Sequence, residues 1–239
     1  MDDLQERFQQ AVQQFWTGRS RAQQKQVEGG RIDAGTRGAV TAGTHMGALE
    51  VLVVDLLLEA GLERLDIKTR TGLELPGFYR PEMKWDLLVV SEGRLVTAIE
   101  FKSQVGPSFG NNYNNRVEEA IGNATDIWTA FRERRLGLSK PFLGYFFLLE
   151  DVPQVHRPVR PSQPYFPVDP IFAETSYSLR YQILCQRLML ERLYDGACLT
   201  LATNAEPTTV THPSSELDFH QFAAKLQGHI RTFVQTGDR

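Results

Sequence analysis

The sequence predicts an α/β fold, a central mixed β-sheet flanked by helices, with a C-terminal helical extension. Three observations carry this expectation. Two short strand-like runs are separated by a glycine turn, a third short run is apolar on both faces, and helical apolar periods lie before, between and after them. The 239 residues are 41% hydrophobic, enough to bury a substantial core, and no break in composition divides them. One domain is therefore expected over residues 1–239, with a core at about 44–150 and an extension over 151–239.

Leu4, Phe8, Val12 and Phe15 recur at helical spacing and mark an amphipathic first helix from about Asp3 to Trp16. Glu28 to Gly47 holds Gly29, Gly30, Gly35, Gly38, Gly43 and Gly47 among Thr and Arg residues and reads as loop. Such a loop can lie along a phosphate backbone through its amides and Arg31 or Arg37, although glycines by themselves signal only turns. His45 to Ala60 is a nearly continuous apolar helix stopped by Gly61, with Leu49, Val53, Leu56 and Leu57 inward. The two strand-like runs follow, Lys84–Val90 and Leu95–Lys102. A helix then extends to about Arg134, with Val117, Ala120, Ile121, Ala124, Ile127, Trp128 and Phe131 inward, and Pro141–Glu150 is a buried strand. Half of the twelve prolines fall between Pro153 and Pro170, which makes that stretch loop. A helix at about Ser178–Leu193, a strand at Cys198–Thr203 and a helix at Glu216–Val234 complete the chain.

The hairpin carries charges where a buried hairpin should have none. Strand alternation puts Glu100 and Lys102 on one face, with Ile99 and Phe101 on the other. If Glu92-Gly93-Arg94 is a three-residue loop, pairing begins with Ser91 opposite Leu95 and places Asp86 opposite Glu100. Two carboxylates so placed destabilise a sheet unless something neutralises them. A divalent cation such as Mg²⁺ does so with one or two carboxylates, waters and substrate phosphate as ligands, and Lys102 would then stand beside the attacking water. Asp followed after thirteen residues by Glu-x-Lys is the pattern of metal-dependent nucleases of the PD-(D/E)xK type, which makes DNA cleavage the leading hypothesis. An ion pair of Lys102 with Asp86 or Glu100 is the competing explanation, and it leaves one acid unpartnered. Glu50, in the preceding helix, can add a third carboxylate to the metal site or be an ordinary surface residue.

The formal net charge of −3 speaks mildly against indiscriminate nucleic-acid binding. Basic residues still cluster, at Arg19, Arg21, Lys25 and Arg31 and again at Arg132, Arg134, Arg135 and Lys140, although either cluster fits a solvated helix face. No apolar run reaches membrane-span length, and the N-terminus is acidic and polar, unlike a secretory leader, so a cytoplasmic protein with no membrane partner is expected. Cys185 and Cys198 read as reduced core residues. His212, His220 and His229 lack ligand or triad spacing, and P-loop, G-x-S-x-G and G-x-G-x-x-G motifs are missing.

Between the second strand and the next helix, Asn111, Asn112, Asn114, Asn115 and Arg116 crowd a helix entrance. Backbone amides favour phosphate there, and Asn side chains can read adenine edges. Helix capping and turn formation account for some of the asparagines.

The runs Leu75–Pro81, Lys84–Val90, Glu100–Ser103 and Ser108–Ala120 resemble the XhoI family of type II restriction endonucleases, over most of the chain from Ala34-Gly35-Thr36-Arg37 past Pro167–Pro170. The resemblance implies a restriction-endonuclease-like core and a Mg²⁺-dependent homodimer. It implies cleavage of double-stranded DNA at the palindrome CTCGAG to leave 5′ overhangs, in a restriction-modification system. Asp86, Glu100 and Lys102 match the family's catalytic positions. Asn111, Asn112, Asn114, Asn115 and Arg116 are the candidate DNA-binding residues, with Arg116 on guanine or phosphate. Trp85 stands where the wider superfamily has proline, a position without a chemical role. The alternatives are a repair or recombination nuclease of the same superfamily, a non-cleaving DNA-binding module, and a structural protein that binds no DNA.

Overall fold

β5 (Arg94–Gln104) is the longest strand and the one on which the rest of the molecule is arranged. The computed structural model describes residues 3–28, 46–106, 108–163 and 165–236. The glycine-rich segment, with Arg31 and Arg37, lies outside the described residues apart from its ends.

Six strands form one mixed sheet in the spatial order β1 (Ile67–Lys68), β4 (Leu87–Ser91), β5, β6 (Phe142–Glu150), β7 (Gly196–Ala202), β8 (Val210–Thr211). The central pairs β5–β6 and β6–β7 are parallel, and the outer pairs are antiparallel. Parallel strands covered on both sides read as continuous apolar runs, which is why Phe142–Leu149 and all of β7 are buried. A separate hairpin, β2 (Glu74–Pro76) with β3 (Glu82–Lys84), lies ahead of β4.

The expected strand Lys84–Val90 is thus two strands. Lys84 still pairs with β2, Trp85 N–H donates to Leu73 O at 2.9 Å, and the chain changes partner to β5 only from Leu87. The β4–β5 loop also differs from expectation. It has two residues, Glu92 (φ 50°) and Gly93 (φ 75°), so that Ser91 lies opposite Arg94. Positive φ at both central residues is what a tight primed hairpin turn requires, and Gly93 adopts it without strain. A bulge then restores the predicted pairing: Val90 faces Leu95 but Val89 faces Thr97, with Val96 as the extra residue.

Helices cover both faces of the sheet. On one side lie α1 (Asp3–Glu28), α2 (Gly47–Glu59) and α5 (Phe219–Thr236), packed on Ile99, Phe101 and Phe146. On the other lie α3 (Phe109–Arg132) and α4 (Tyr177–Leu190), packed on Ala98, Tyr145 and Phe147. α1 runs well past Trp16, where its apolar period stops, through a Gln- and Arg-rich stretch of high helix propensity. α3 begins at Phe109, so the asparagine run is the first turns of a helix and not a loop before one. The C-terminal part holds the expected helices and also completes the sheet through β7 and β8. Among the described residues between Pro153 and Asp169, the chain is irregular apart from the helical turn Pro153–His156. Cys185 and Cys198 are free and buried.

Two histidines tie the C-terminal part to the sheet as neutral groups. His229 Nε2 lies 3.1 Å from Val96 O and His212 Nδ1 lies 3.1 Å from Leu199 O. Burial, only partly offset by these bonds, lowers both pKa values. A lowered folded-state pKa means that the unfolded chain takes up the proton first, so stability is lost as pH falls through the unfolded value of about 6.5. The urea midpoint should therefore drop between about pH 7.5 and pH 5.5, and drop less in His229→Gln. Equal drops in the two proteins would show that His229 does not titrate with unfolding.

Candidate active site

The second half of β5 turns from core strand to charged strand without leaving the sheet. Ile99 and Phe101 point into the α1/α2/α5 layer, which sends Glu100 and Lys102 to the α3 side. Glu100 is only 4% exposed. Asp86 sits one residue before β4, where the β4–β5 register continued would place it opposite Glu100, and its Oδ2 accepts the Phe101 N–H at 2.8 Å.

Lys102 Nζ lies 2.6 Å from Glu100 Oε1 and 4.0 Å from Asp86 Oδ2. The ion pair weighed from the sequence is present, and it engages both acids. Burial works against the ammonium, but Glu100 and Asp86 outweigh it and raise its pKa, so Lys102 is a cation at neutral pH. For Asp86 burial is the largest influence. It raises the carboxyl pKa, with help from Glu100 and against Lys102 and the Phe101 amide. Glu50, in the first turn of α2, is also raised, first by burial and then by Asp86, so the two acids sense each other's charge. Glu50 borders a surface cavity of about 650 Å³ whose lining includes Arg64, Lys68 and Arg70.

Among the described residues, no three His, Cys, Asp or Glu side chains come together closely enough to hold a metal ion by themselves. Glu50, Asp86 and Glu100 therefore do not form a three-acid cage. The donor set still fits a hard divalent ion. Mg²⁺ takes one or two carboxylates and keeps several waters, and Asp86 and Glu50, both raised above the usual carboxylate range by burial and by a neighbouring acid, favour a cation.

Residues that sequence reasoning did not single out hold Glu100 from behind. Asn123 Nδ2 donates to Glu100 Oε1 at 3.1 Å and to Oε2 at 3.3 Å, and the Tyr194 hydroxyl lies 3.3 Å from Oε2. Arg80, from the β2–β3 tip, donates through Nη2 to Asn123 Oδ1 at 2.5 Å and through Nε to Asp126 Oδ2 at 2.7 Å. Asp126 also accepts the amides of Phe78 at 2.5 Å and Tyr79 at 3.0 Å. Burial opposes the charge of Asp126, but these donors prevail and lower its pKa. A Cβ on Gly77 would come within 2.6 Å of Arg80 O and 3.0 Å of Asp126 Oδ2, so the tip can close over α3 only with glycine there. The available signal was an Asn and an Asp three residues apart on the inward face of α3, among Ala120, Ala124 and Ile127.

The asparagine run divides by helical periodicity. Asn112, Arg116 and Asn123 share the stripe of α3 that leads to Glu100, whereas Asn111, Asn114 and Asn115 are exposed on other faces. Arg116 pairs with Glu119 at 2.5 Å, acts electrostatically on Lys102, and has a buried Nε with no hydrogen-bond partner among the described residues. Of the basic clusters, Arg135 donates to Gly77 O at 2.8 Å and Lys140 pairs with Asp195, so the second cluster is largely engaged within the protein.

A mixed sheet between helical layers, with an acid, a second acid and a lysine gathered where β4 and β5 emerge from the core, is the architecture of the restriction-endonuclease-like nucleases. Residues 25–213 match the family described as Restriction endonuclease XhoI. The chain is 42% identical over 208 residues to the type II restriction enzyme BstVI of Geobacillus stearothermophilus, covering 84% of this chain and 93% of that protein. It is 46% identical over 183 residues to the type II restriction enzyme XhoI of Xanthomonas vasicola, covering 75% of this chain and 73% of that one. It is also 46% identical over 166 residues to the type II restriction enzyme AbrI of Azospirillum brasilense, covering 69% and 74%. No solved structure matches the chain significantly. The chain belongs to the XhoI family of type II restriction endonucleases, hydrolases that cleave DNA.

Asp126 makes the tip of the β2–β3 hairpin measurable. Asp126→Ala leaves two backbone amides and a guanidinium without their acceptor, a loss of about 3 kcal/mol or more at roughly 1–3 kcal/mol per charged hydrogen bond. Asp126→Asn, which keeps one acceptor, should cost less. Urea denaturation above pH 6 reads both, and a wild-type midpoint in Asp126→Ala would contradict the anchoring role. Because the pKa is lowered by folding, this contribution should fade as pH falls below the unfolded value of about 3.9.

Proposed function

We propose that this chain is a site-specific deoxyribonuclease that hydrolyses both strands of double-stranded DNA at the palindrome CTCGAG, leaving 5′ overhangs, with Mg²⁺ as cofactor. It acts as a homodimer, because a two-fold symmetric site is matched by a two-fold symmetric protein with one active site per strand. Its place is the cytoplasm, as part of a restriction-modification system. Among the described residues no helix is long and apolar enough to cross a membrane. The whole chain works as one domain, with the catalytic core at about 44–150.

The observation that carries this reading is the ammonium of Lys102 set between Asp86 and a buried Glu100. Asp86 and Glu100, with Glu50 alongside, would hold the cation, which when bound polarises the phosphate and lowers the pKa of water. Lys102, charged beside these acids, would orient the attacking water and stabilise negative charge gathering on phosphate oxygens. Asp86 is pinned by the Phe101 amide, so its carboxylate is oriented before any ligand arrives. Arg116 and Asn112, on the stripe of α3 leading to Glu100, would reach DNA next to the scissile bond. Arg116 has guanine or phosphate as its target, and Asn111, Asn114 and Asn115 would act from the outer faces of the same helix turns.

Digestion of a sequenced plasmid with Mg²⁺, followed by end mapping, tests reaction and site together. Cleavage at CTCGAG with 5′ overhangs is expected. Lys102→Ala should lower the single-turnover rate by about 10²–10³-fold while DNA binding persists. Undiminished cutting by Lys102→Ala, or by Glu100→Gln, would remove the assignment, and ends at another sequence would correct the site alone.

A further inference from the structure

Glu100 is held by a directional chain of hydrogen bonds that starts outside the site. Arginine has only donors, so the Asn123 atom facing Arg80 must be its carbonyl oxygen, 2.5 Å from Nη2. The amide nitrogen of Asn123 is then turned to Glu100, whose oxygens accept from it, at 3.1 Å for Oε1 and 3.3 Å for Oε2. Arg80 is fixed in turn by its 2.7 Å ion pair with buried Asp126, which also holds the Phe78 and Tyr79 amides. Arg80 adds to the orientation that Glu100 itself favours, because a flipped amide would present oxygen to the carboxylate and nitrogen to the guanidinium. The tip of a peripheral hairpin thus helps to set which group the central helix offers to the central strand.

We propose that Asn123 and Arg80 are positioning residues of the cleavage reaction: Asn123 orients the Glu100 carboxylate for a divalent cation, and Arg80 locks the Asn123 amide in the competent orientation. The proposal rests on the role given to Glu100 above. Groups that orient metal-binding side chains without touching the metal are worth about 10–100-fold in affinity or activity, and effects of that size are expected here. Neither residue is a surface ornament: Asn123 lies on the inward side of α3, and Arg80, half exposed, aims its guanidinium at two groups of that helix.

The test uses the full-length chain carrying Asn123→Ala, Arg80→Ala, Arg80→Lys, and the double variant Asn123→Ala/Arg80→Ala. Mn²⁺ affinity is measured calorimetrically on the DNA-free protein, and single-turnover cleavage is measured against Mg²⁺ concentration. DNA affinity is measured by fluorescence anisotropy in Ca²⁺. Asn123→Ala and Arg80→Ala should weaken Mn²⁺ binding by about 10–100-fold and raise the Mg²⁺ concentration needed for half-maximal rate, with DNA affinity unchanged. Arg80→Lys, which restores a donor to Asn123 Oδ1, should recover part of the loss. The double variant should be no worse than Asn123→Ala, because coupled residues are not additive. Wild-type Mn²⁺ affinity in Asn123→Ala, or additive losses in the double variant, would overturn the proposal while Glu100→Gln remains inactive. If Asn123→Ala fails to fold by circular dichroism, Arg80→Ala against Arg80→Lys decides, and equal losses in those two overturn it. If Glu100→Gln itself cuts normally, the assignment of Glu100 falls first and this proposal with it.

Discussion

A carboxylate buried in the middle of a protein costs several kcal/mol unless charge and hydrogen bonds surround it, and Glu100 imposes that constraint on this molecule. Its partners come from three directions. Lys102 follows it on the same strand, Asn123 reaches down from α3, and Tyr194 reaches in from the segment between α4 and β7. The charge thereby fixes the relative position of the strand, the helix above it and the part of the chain that supplies β7. Replacing Glu100 by an apolar residue of similar volume would take this acceptor from the Asn123 amide and leave Lys102 to pair with Asp86, at 4.0 Å. A fold built only for stability would do better with a hydrophobic side chain there, and for that reason the arrangement points to chemistry.

The site depends equally on strand register. Side chains alternate with a period of two, so a slip of one residue between β4 and β5 would send Glu100 and Lys102 into the α1/α2/α5 layer and Ile99 and Phe101 out of it. The tight Glu92-Gly93 turn by itself sets a register one residue out, and the bulge at Val96 corrects it. Beyond the bulge β5 pairs in parallel with β6 without interruption from Thr97 to Gln104, so the charged end inherits the rigidity of the core.

The central strands and the covering helices were legible in the sequence because their apolar patterns are long. Pro141–Glu150 has no polar interruption, and Phe219, Phe222, Ala223, Leu226 and Ile230 repeat at helical spacing. The Asp86, Glu100 and Lys102 grouping was legible because charge at buried alternate positions is improbable without a use. β1, β2, β3 and β8, of two or three residues each, were not, since no period can be read over so short a run. The asparagine run was placed at the entrance to a helix, yet Phe109, Tyr113 and Val117 anchor all of it as helix against α4 and the sheet. This is tertiary packing overriding local preference. Asn123 was overlooked because one polar residue among alanines weakly perturbs a helical period, and its meaning depends on Arg80, 43 residues earlier in the chain.

The position at which a divalent ion binds is the most direct test of the site. A crystal of the protein soaked in Mn²⁺ and measured at the manganese absorption edge should give an anomalous peak in contact with Asp86 and Glu100, with Lys102 moved off Glu100 to its side. A crystal in which manganese binds elsewhere, or nowhere, while Lys102 still bridges the two acids would contradict the account: the triplet would then be an ion pair that stabilises the hairpin, and the cleavage chemistry would have to be carried by other residues.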